Sequence, residues 1–171
     1  MLVHEIDADA AESRIVELVA VLRDSVDNGA SVNFLAGMTD VDGVAFWRAS
    51  IAEQRDGHRC LVVAELDGSI IGTAMLLLAP QQNQQHRADV AKMLVHSAYR
   101  RRGIGAALLA AIESTARAHR RTLLMLDTEK DSAGELLYTT HGWVRYGEVP
   151  GHAHRTDGTP WPTSFFYKQL T

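Results

Sequence analysis

The stretch Arg87–His119, RADVAKMLVHSAYRRRGIGAALLAAIESTARAH, constrains this chain more than any other part of it. Val90 to Val95 suits a strand. Arg100 to Gly105 is basic and carries two glycines. From there Ile104, Leu108, Ala111, Ile112 and Thr115 recur at helical spacing, and the Ala-rich composition favours a helix to about His119. Strand, glycine turn, helix is the order that presents backbone N–H groups and the positive end of a helix to an anion. The reading is a phosphate cradle; a solvated basic turn is the alternative. A P-loop is rejected because no Gly-Lys-Ser/Thr ending follows. A dinucleotide site of the Rossmann type is rejected because the third glycine is missing and the preceding strands form a hairpin.

The 171 residues suit one domain, 1–171, with a sizeable core. Formal net charge is −4, which disfavours duplex nucleic acid; Arg100-Arg101-Arg102 is the local exception. The one cysteine, Cys60, excludes an intrachain disulfide and, on this reading, a Cys-based metal site equally. His152-x-His154 lacks further clustered ligands, so no metal is expected. The N-terminus shows no secretory pattern, and the longest apolar run, near Ile70 to Pro80, is too short to span a bilayer. A cytoplasmic protein with no membrane partner is the expectation.

Leu2 to Ile6 alternates as a strand. A helix capped by Asp7 or Asp9 runs to about Val26 and stops at Asp27-Asn28-Gly29. Ala30 to Met38 has no clear period and is read as a loop or an irregular helical turn. Thr39 or Asp40 caps a second helix, with Val44, Trp47, Ile51 and Phe46 on its inner side, ended by Asp56-Gly57. Leu61–Leu66 and Ile70–Ala79 flank Asp67-Gly68, a strong hairpin signal. Pro80 to Gln85 is a loop, and Arg87–Val95 is the next strand. Leu123–Leu126 completes a βαβ unit and is expected to run parallel to Arg87–Val95, with Asp127-Thr128-Glu129 leaving its end. A short helix from Ser132 to Thr140 is expected to bury Leu136, Leu137 and Thr140. Val144–Val149 and Ser164–Lys168 close the chain as strands, with Pro150 to Pro162 a long loop between them.

Arg100-x-x-Gly103-x-Gly105 matches the pyrophosphate motif Q/R-x-x-G-x-G/A, and Leu137-Tyr138-x-x-x-Gly142-Trp143 follows at the right distance. On these motifs the chain resembles the GCN5-related N-acetyltransferase (GNAT) family over essentially its whole length. Within it, GASVNF at 29–34, LDTE at 126–129, and GEVPGH followed by DGT are similar to the tabtoxin-resistance acetyltransferases, which act on a β-lactam-containing toxin. The resemblance implies an α+β fold of three αβα layers, with a mixed, mostly antiparallel sheet splayed at a parallel central strand pair. It implies transfer of acetyl from acetyl-CoA, without a metal, to a primary amine. The expected acceptor is a small molecule of the tabtoxin or antibiotic type. Protein or peptide acetylation and a non-catalytic CoA-binding sensor are the alternatives. Assembly is left open, with a homodimer as one possibility.

The resemblance also distributes roles. Met93, Leu94 and Val95 are expected to lend backbone groups to the pantetheine arm, as an extended ligand adds to a strand edge. Arg100, Arg101, Arg102, Gly103, Ile104, Gly105 and Ala106 are expected to hold the phosphates. Tyr138 is the candidate general acid for the leaving thiolate; a core tyrosine is the plain reading. Asp89 and Asp127 are the candidate bases, with Glu129 a third. Asp89 stands where the tabtoxin-resistance group has a glutamate, so a water relay is an option. Either carboxylate is equally suited to binding the acceptor's ammonium, and Asp127 also reads as a helix cap. Phe34, Trp143, Trp161 and the segments 31–38 and 150–162 are candidate acceptor-side walls.

Overall fold

Local sequence fixes the hairpins, and one helical crossover fixes the rest. The computed structural model describes residues 1–171, with strands β1 (Leu2–Ile6), β2 (Arg59–Leu66), β3 (Ser69–Leu78), β4 (Arg87–Val95), β5 (Leu123–Glu129), β6 (Val144–His154) and β7 (Pro160–Gln169). Its helices are α1 (Ala8–Ser13), α2 (Ile15–Asp27), α3 (Asp40–Arg55), α4 (Ile104–Ala118) and α5 (Ala133–Thr140). The seven strands form one sheet in the order β1-β2-β3-β4-β5-β7-β6. Only β4 and β5 are parallel; every other pair is antiparallel. Asp67 and Gly68 both adopt positive φ, the turn geometry that matches strand twist between β2 and β3. No helix is long and apolar enough to cross a membrane.

Each face of the sheet carries its own core, which makes three layers. On one face α4 and α5 bury Leu108, Ile112, Leu124 and Phe166. On the other, α1–α3 bury Leu18, Leu22, Trp47 and Ile51. Thr39 begins α3 with a reciprocal cap: its side chain accepts from Asp42 N–H while the Asp42 carboxylate accepts from Thr39 N–H. Gly72 sits where β3 passes under α4, and a Cβ there would lie 2.8 Å from the Leu94 carbonyl oxygen and 3.0 Å from Leu108 Cδ1.

Two irregularities in β4 shape the site. Lys92 has φ +49° at a bulge opposite Thr73–Met75, and Thr73 Oγ1 donates to the Lys92 carbonyl at 2.9 Å. Ala88 and Val90 face α4 before the bulge; Met93 and Val95 face it afterwards, with Leu94 turned to α2 and α3. In addition, β4 pairs with β5 only over Arg87–Asp89 against Leu123–Met125. Beyond that point β5 stays paired with β7 while β4 diverges, so the sheet opens.

Several sequence expectations need correction. The first helix is two, broken at Arg14, whose guanidinium pairs with Glu17 and Glu65 and donates to the Gly68 carbonyl. Asp127-Thr128-Glu129 remain in β5, paired with Phe165, Ser164 and Thr163. Residues 150–162 are no long loop: β6 continues to His154 through a bulge between Val149 and Ala153, and β7 starts at Pro160. In α5 Leu136 is exposed, Thr140 is exposed and Leu137 half-buried; Tyr138 is the buried side chain. Within α4 the inner stripe includes Leu109, whereas Ala111 is only half-buried.

Candidate active site

The opening between β4 and β5 is continuous with a cleft of about 540 Å³. The C-terminal end of α2 and the loop after it form one wall. Met93–Val95 of β4, the start of α4, the end of β5 and the inner side of α5 form the others. A nest of backbone donors lies at its floor. Gly103 caps α4 at φ +78°, a left-handed conformation that favours glycine, and no side chain caps the helix. None of the amides from Arg101 to Ala106 donates to a protein group. Six consecutive free N–H groups at the start of a fifteen-residue helix are the donor geometry suited to an anion.

Of the three arginines, Arg100 and Arg101 line the cleft. Arg102 does not: it donates to the Ala98 carbonyl and lies over the Tyr99 ring. Arg100 Nε donates to the Val95 carbonyl at 3.0 Å, which leaves its remaining N–H groups for an anion. A residue that sequence reading missed fixes this turn. Asp24 of α2 accepts from Ser97 N–H and Ser97 Oγ, both at 2.6 Å, and lies 4.0 Å from Arg100. Its signal in the sequence is slight: one carboxylate beside the apolar stripe of α2.

Tyr138 lines the cleft from α5, its ring packed against Trp143 and Phe166. Its hydroxyl has no protein partner and is not sealed from solvent, so it opens to the cleft. Burial, with the Asp127 carboxylate adding to it, pushes this phenol above its ordinary range. Trp143, a candidate wall residue, is instead core, and its Nε1 donates to Glu113.

The three candidate bases fall into different settings. Asp89 and Asp127 project to the α3 side of the sheet, opposite their neighbours Ala88, Val90 and Leu126, and do not line the cleft itself. Asp89 lies 3.5 Å from Arg87; burial raises its carboxyl, Arg87 opposes that, and Asp127 adds to it. Asp127 is exposed and no cation lies within ion-pairing distance. Buried Lys92, on the same side, lies over the Phe46 ring; burial lowers its ammonium, against the pull of Asp127. Glu129 does reach the cleft, but Arg155 holds it in a two-nitrogen ion pair and itself stacks on Trp161 at 3.4 Å. This pairing occupies the Glu129 carboxylate.

A family model described as the acetyltransferase (GNAT) family matches residues 29–143. The chain belongs to the GNAT acetyltransferase family. Solved structures agree in fold. Ribosomal-protein-alanine N-acetyltransferase from Brucella melitensis is 24% identical, with a TM-score of 0.81 over 99% of this chain and 100% of that one. YncA from Salmonella typhimurium, solved with its cofactor acetyl-CoA, is 18% identical, with a TM-score of 0.81 over 100% and 94%. A GCN5-related N-acetyltransferase from Kribbella flavida is 19% identical, with a TM-score of 0.78 over 99% and 97%. For a GNAT protein the free amides at 101–106 and the open edge of β4 fit a ligand with both a pyrophosphate and an extended amide arm. Acetyl-CoA is such a ligand.

Proposed function

We propose that this GNAT protein transfers acetyl from acetyl-CoA to a primary amine of a small molecule. The observation that carries the reading is the Tyr138 hydroxyl, free of protein partners at the gap between β4 and β5. Acetyl-CoA supplies the activated acyl group. The amides of 101–106, with Arg100 and Arg101, hold its phosphates, and the backbone of Met93–Val95 orients its arm. Asp127, exposed beside the gap, attracts the acceptor's ammonium, and Asp89 or a water next to it takes the proton. Tyr138 keeps its proton through the neutral range, so it serves as donor to the departing sulfur and not as a base.

A roof over the acceptor side favours a small molecule over a peptide. Ala36 N–H donates to the Thr156 carbonyl at 2.8 Å, and Ser31 Oγ donates to the His154 carbonyl at 3.3 Å. These bonds tie the loop after α2 to the end of β6 and the β6–β7 turn, which narrows the acceptor side and supports a compact acceptor over a polypeptide. The resemblance to tabtoxin-resistance enzymes puts a β-lactam-containing toxin in the acceptor panel, beside amino acids, polyamines and N-terminal peptides.

The decisive measurement is turnover and cofactor binding of Tyr138→Phe. Turnover is expected to fall by roughly 10²–10⁴-fold, with acetyl-CoA affinity unchanged because the ring packing is kept. Full activity in the variant removes Tyr138 from the mechanism. Acetylation of peptides with none of small amines removes the small-molecule acceptor.

A further inference from the structure

A second cluster of chemically capable side chains lies at the other end of α4. Glu5 is in β1, Cys60 in β2, and His119 is the C-cap of α4. Glu5 pairs with Val62, so Glu5 and Cys60 project from the same face of the sheet, the face that α4 covers. Cys60 Sγ is 3.3 Å from His119 Nε2, and that nitrogen is 3.8 Å from Glu5 Oε1. All three ligand atoms lie within 4.8 Å of one another. Around a tetrahedral zinc ion, bonds of about 2.3 Å to sulfur and about 2.0–2.1 Å to nitrogen and oxygen give S···N near 3.6 Å and N···O near 3.4 Å. The two measured separations lie within a few tenths of an ångström of those values.

We propose that Glu5, Cys60 and His119 form a binding site for Zn²⁺ or a similar thiophilic divalent transition metal, with water as fourth ligand. The donor set decides the class: sulfur and imidazole exclude the oxygen-seeking Mg²⁺ and Ca²⁺. Thiolate and carboxylate together balance the charge of the ion. The side chains of Glu5 and His119 are each 40% exposed, so an ion has an entry path and water has room. In the metal-free protein Cys60 keeps its proton, its thiol pushed up to about 12 by burial and by Glu5. Binding therefore displaces that proton. Arg121, close enough to act on the thiol, is the neighbouring cation that opposes an ion and moderates its affinity. The fifteen residues of α4 put the site about 22 Å from the phosphate cradle at about 1.5 Å per residue, so it is separate from acetyl transfer. Its effect is to clamp the N-terminal strand to β2 and to the end of α4.

Titration of the reduced, metal-free full chain with Co²⁺ tests this. One equivalent is expected to give a thiolate-to-cobalt charge-transfer band in the near ultraviolet, which Zn²⁺ then bleaches. Zn²⁺ is expected to raise the melting temperature. Cys60→Ser is expected to abolish the band. Glu5→Gln and His119→Ala, both at partly exposed positions, are expected to weaken affinity by about tenfold or more. Replacing His152 and His154 by alanine is expected to change nothing. No charge-transfer band in the wild-type protein overturns the proposal and leaves a Cys–His hydrogen bond. A band that survives in Cys60→Ser, or one lost with His152 and His154, overturns it as well.

Discussion

Asp89 is a carboxyl group in a setting that favours its protonated form. Its pKa is raised in the folded state, so the protonated form adds stability at low pH. That contribution is lost as pH rises through the raised value. Asp89→Asn mimics the protonated form. It is therefore expected to melt at a higher temperature than wild type near pH 7, with the difference vanishing below the ordinary carboxylate range. Paired thermal melts across pH check this, and an unchanged difference at pH 3 contradicts it. Asp24 acts through geometry: its carboxylate accepts from Ser97 N–H and Oγ and lies beside Arg100 and His96. Asp24→Ala is expected to loosen the Ser97–Arg100 turn and raise KM for acetyl-CoA roughly tenfold, about 1.4 kcal/mol, with kcat little changed. Steady-state kinetics with saturating acceptor separates the two constants. The turn with its unpaired amides at 101–106 was legible because its glycines, arginines and helix are contiguous. Asp24 was not legible, since its contacts span seventy-three residues. Glu129 looked available for the same reason: its partner Arg155 lies twenty-six residues away, on the β6–β7 turn.

Elements bounded by local signals were legible. The Asp67-Gly68 hairpin, the Thr39 cap and the Gly103 turn each lie in a few consecutive residues, and all three stand where the sequence put them. Elements defined by partners were not. The prolines at 150, 160 and 162 suggested a loop, yet β6 carries Pro150 through a bulge because β7 offers a full-length partner. In α5 Leu136 and Thr140 lie on the exposed face and only Leu137 packs inward, because the helix turns Tyr138 in against Phe166. Counting cysteines one by one hid the approach of Cys60 to His119 and Glu5, which only the sheet register and the length of α4 bring about. At the crossing of β3, β4 and α4, Gly72→Ala drives a methyl into the Leu94 carbonyl and Leu108. A loss of about 1–3 kcal/mol is expected from overpacking, read from the urea midpoint. An unaltered midpoint would show that the crossing can relax.

At the scale of the whole molecule, two cores share one sheet. Leu22 belongs to the α1–α3 side and Ile112 to the α4–α5 side, and both are fully buried. Alanine at either position is expected to cost about 2–5 kcal/mol. Because β2, β3 and β4 contribute to both cores, each variant is expected to shift a single unfolding transition. Calorimetry that resolves two transitions would show the layers to be independent. The Lys92 bulge has a consequence for how such a molecule diversifies. It divides β4 into two halves, one holding Asp89 and the other Met93 and Val95, whose side-chain alternation is out of phase by one residue. Substitutions around Asp89 thus change what the protein meets on one side of the sheet without moving Met93 or Val95 on the other. The extra residue lets each half of the strand change on its own.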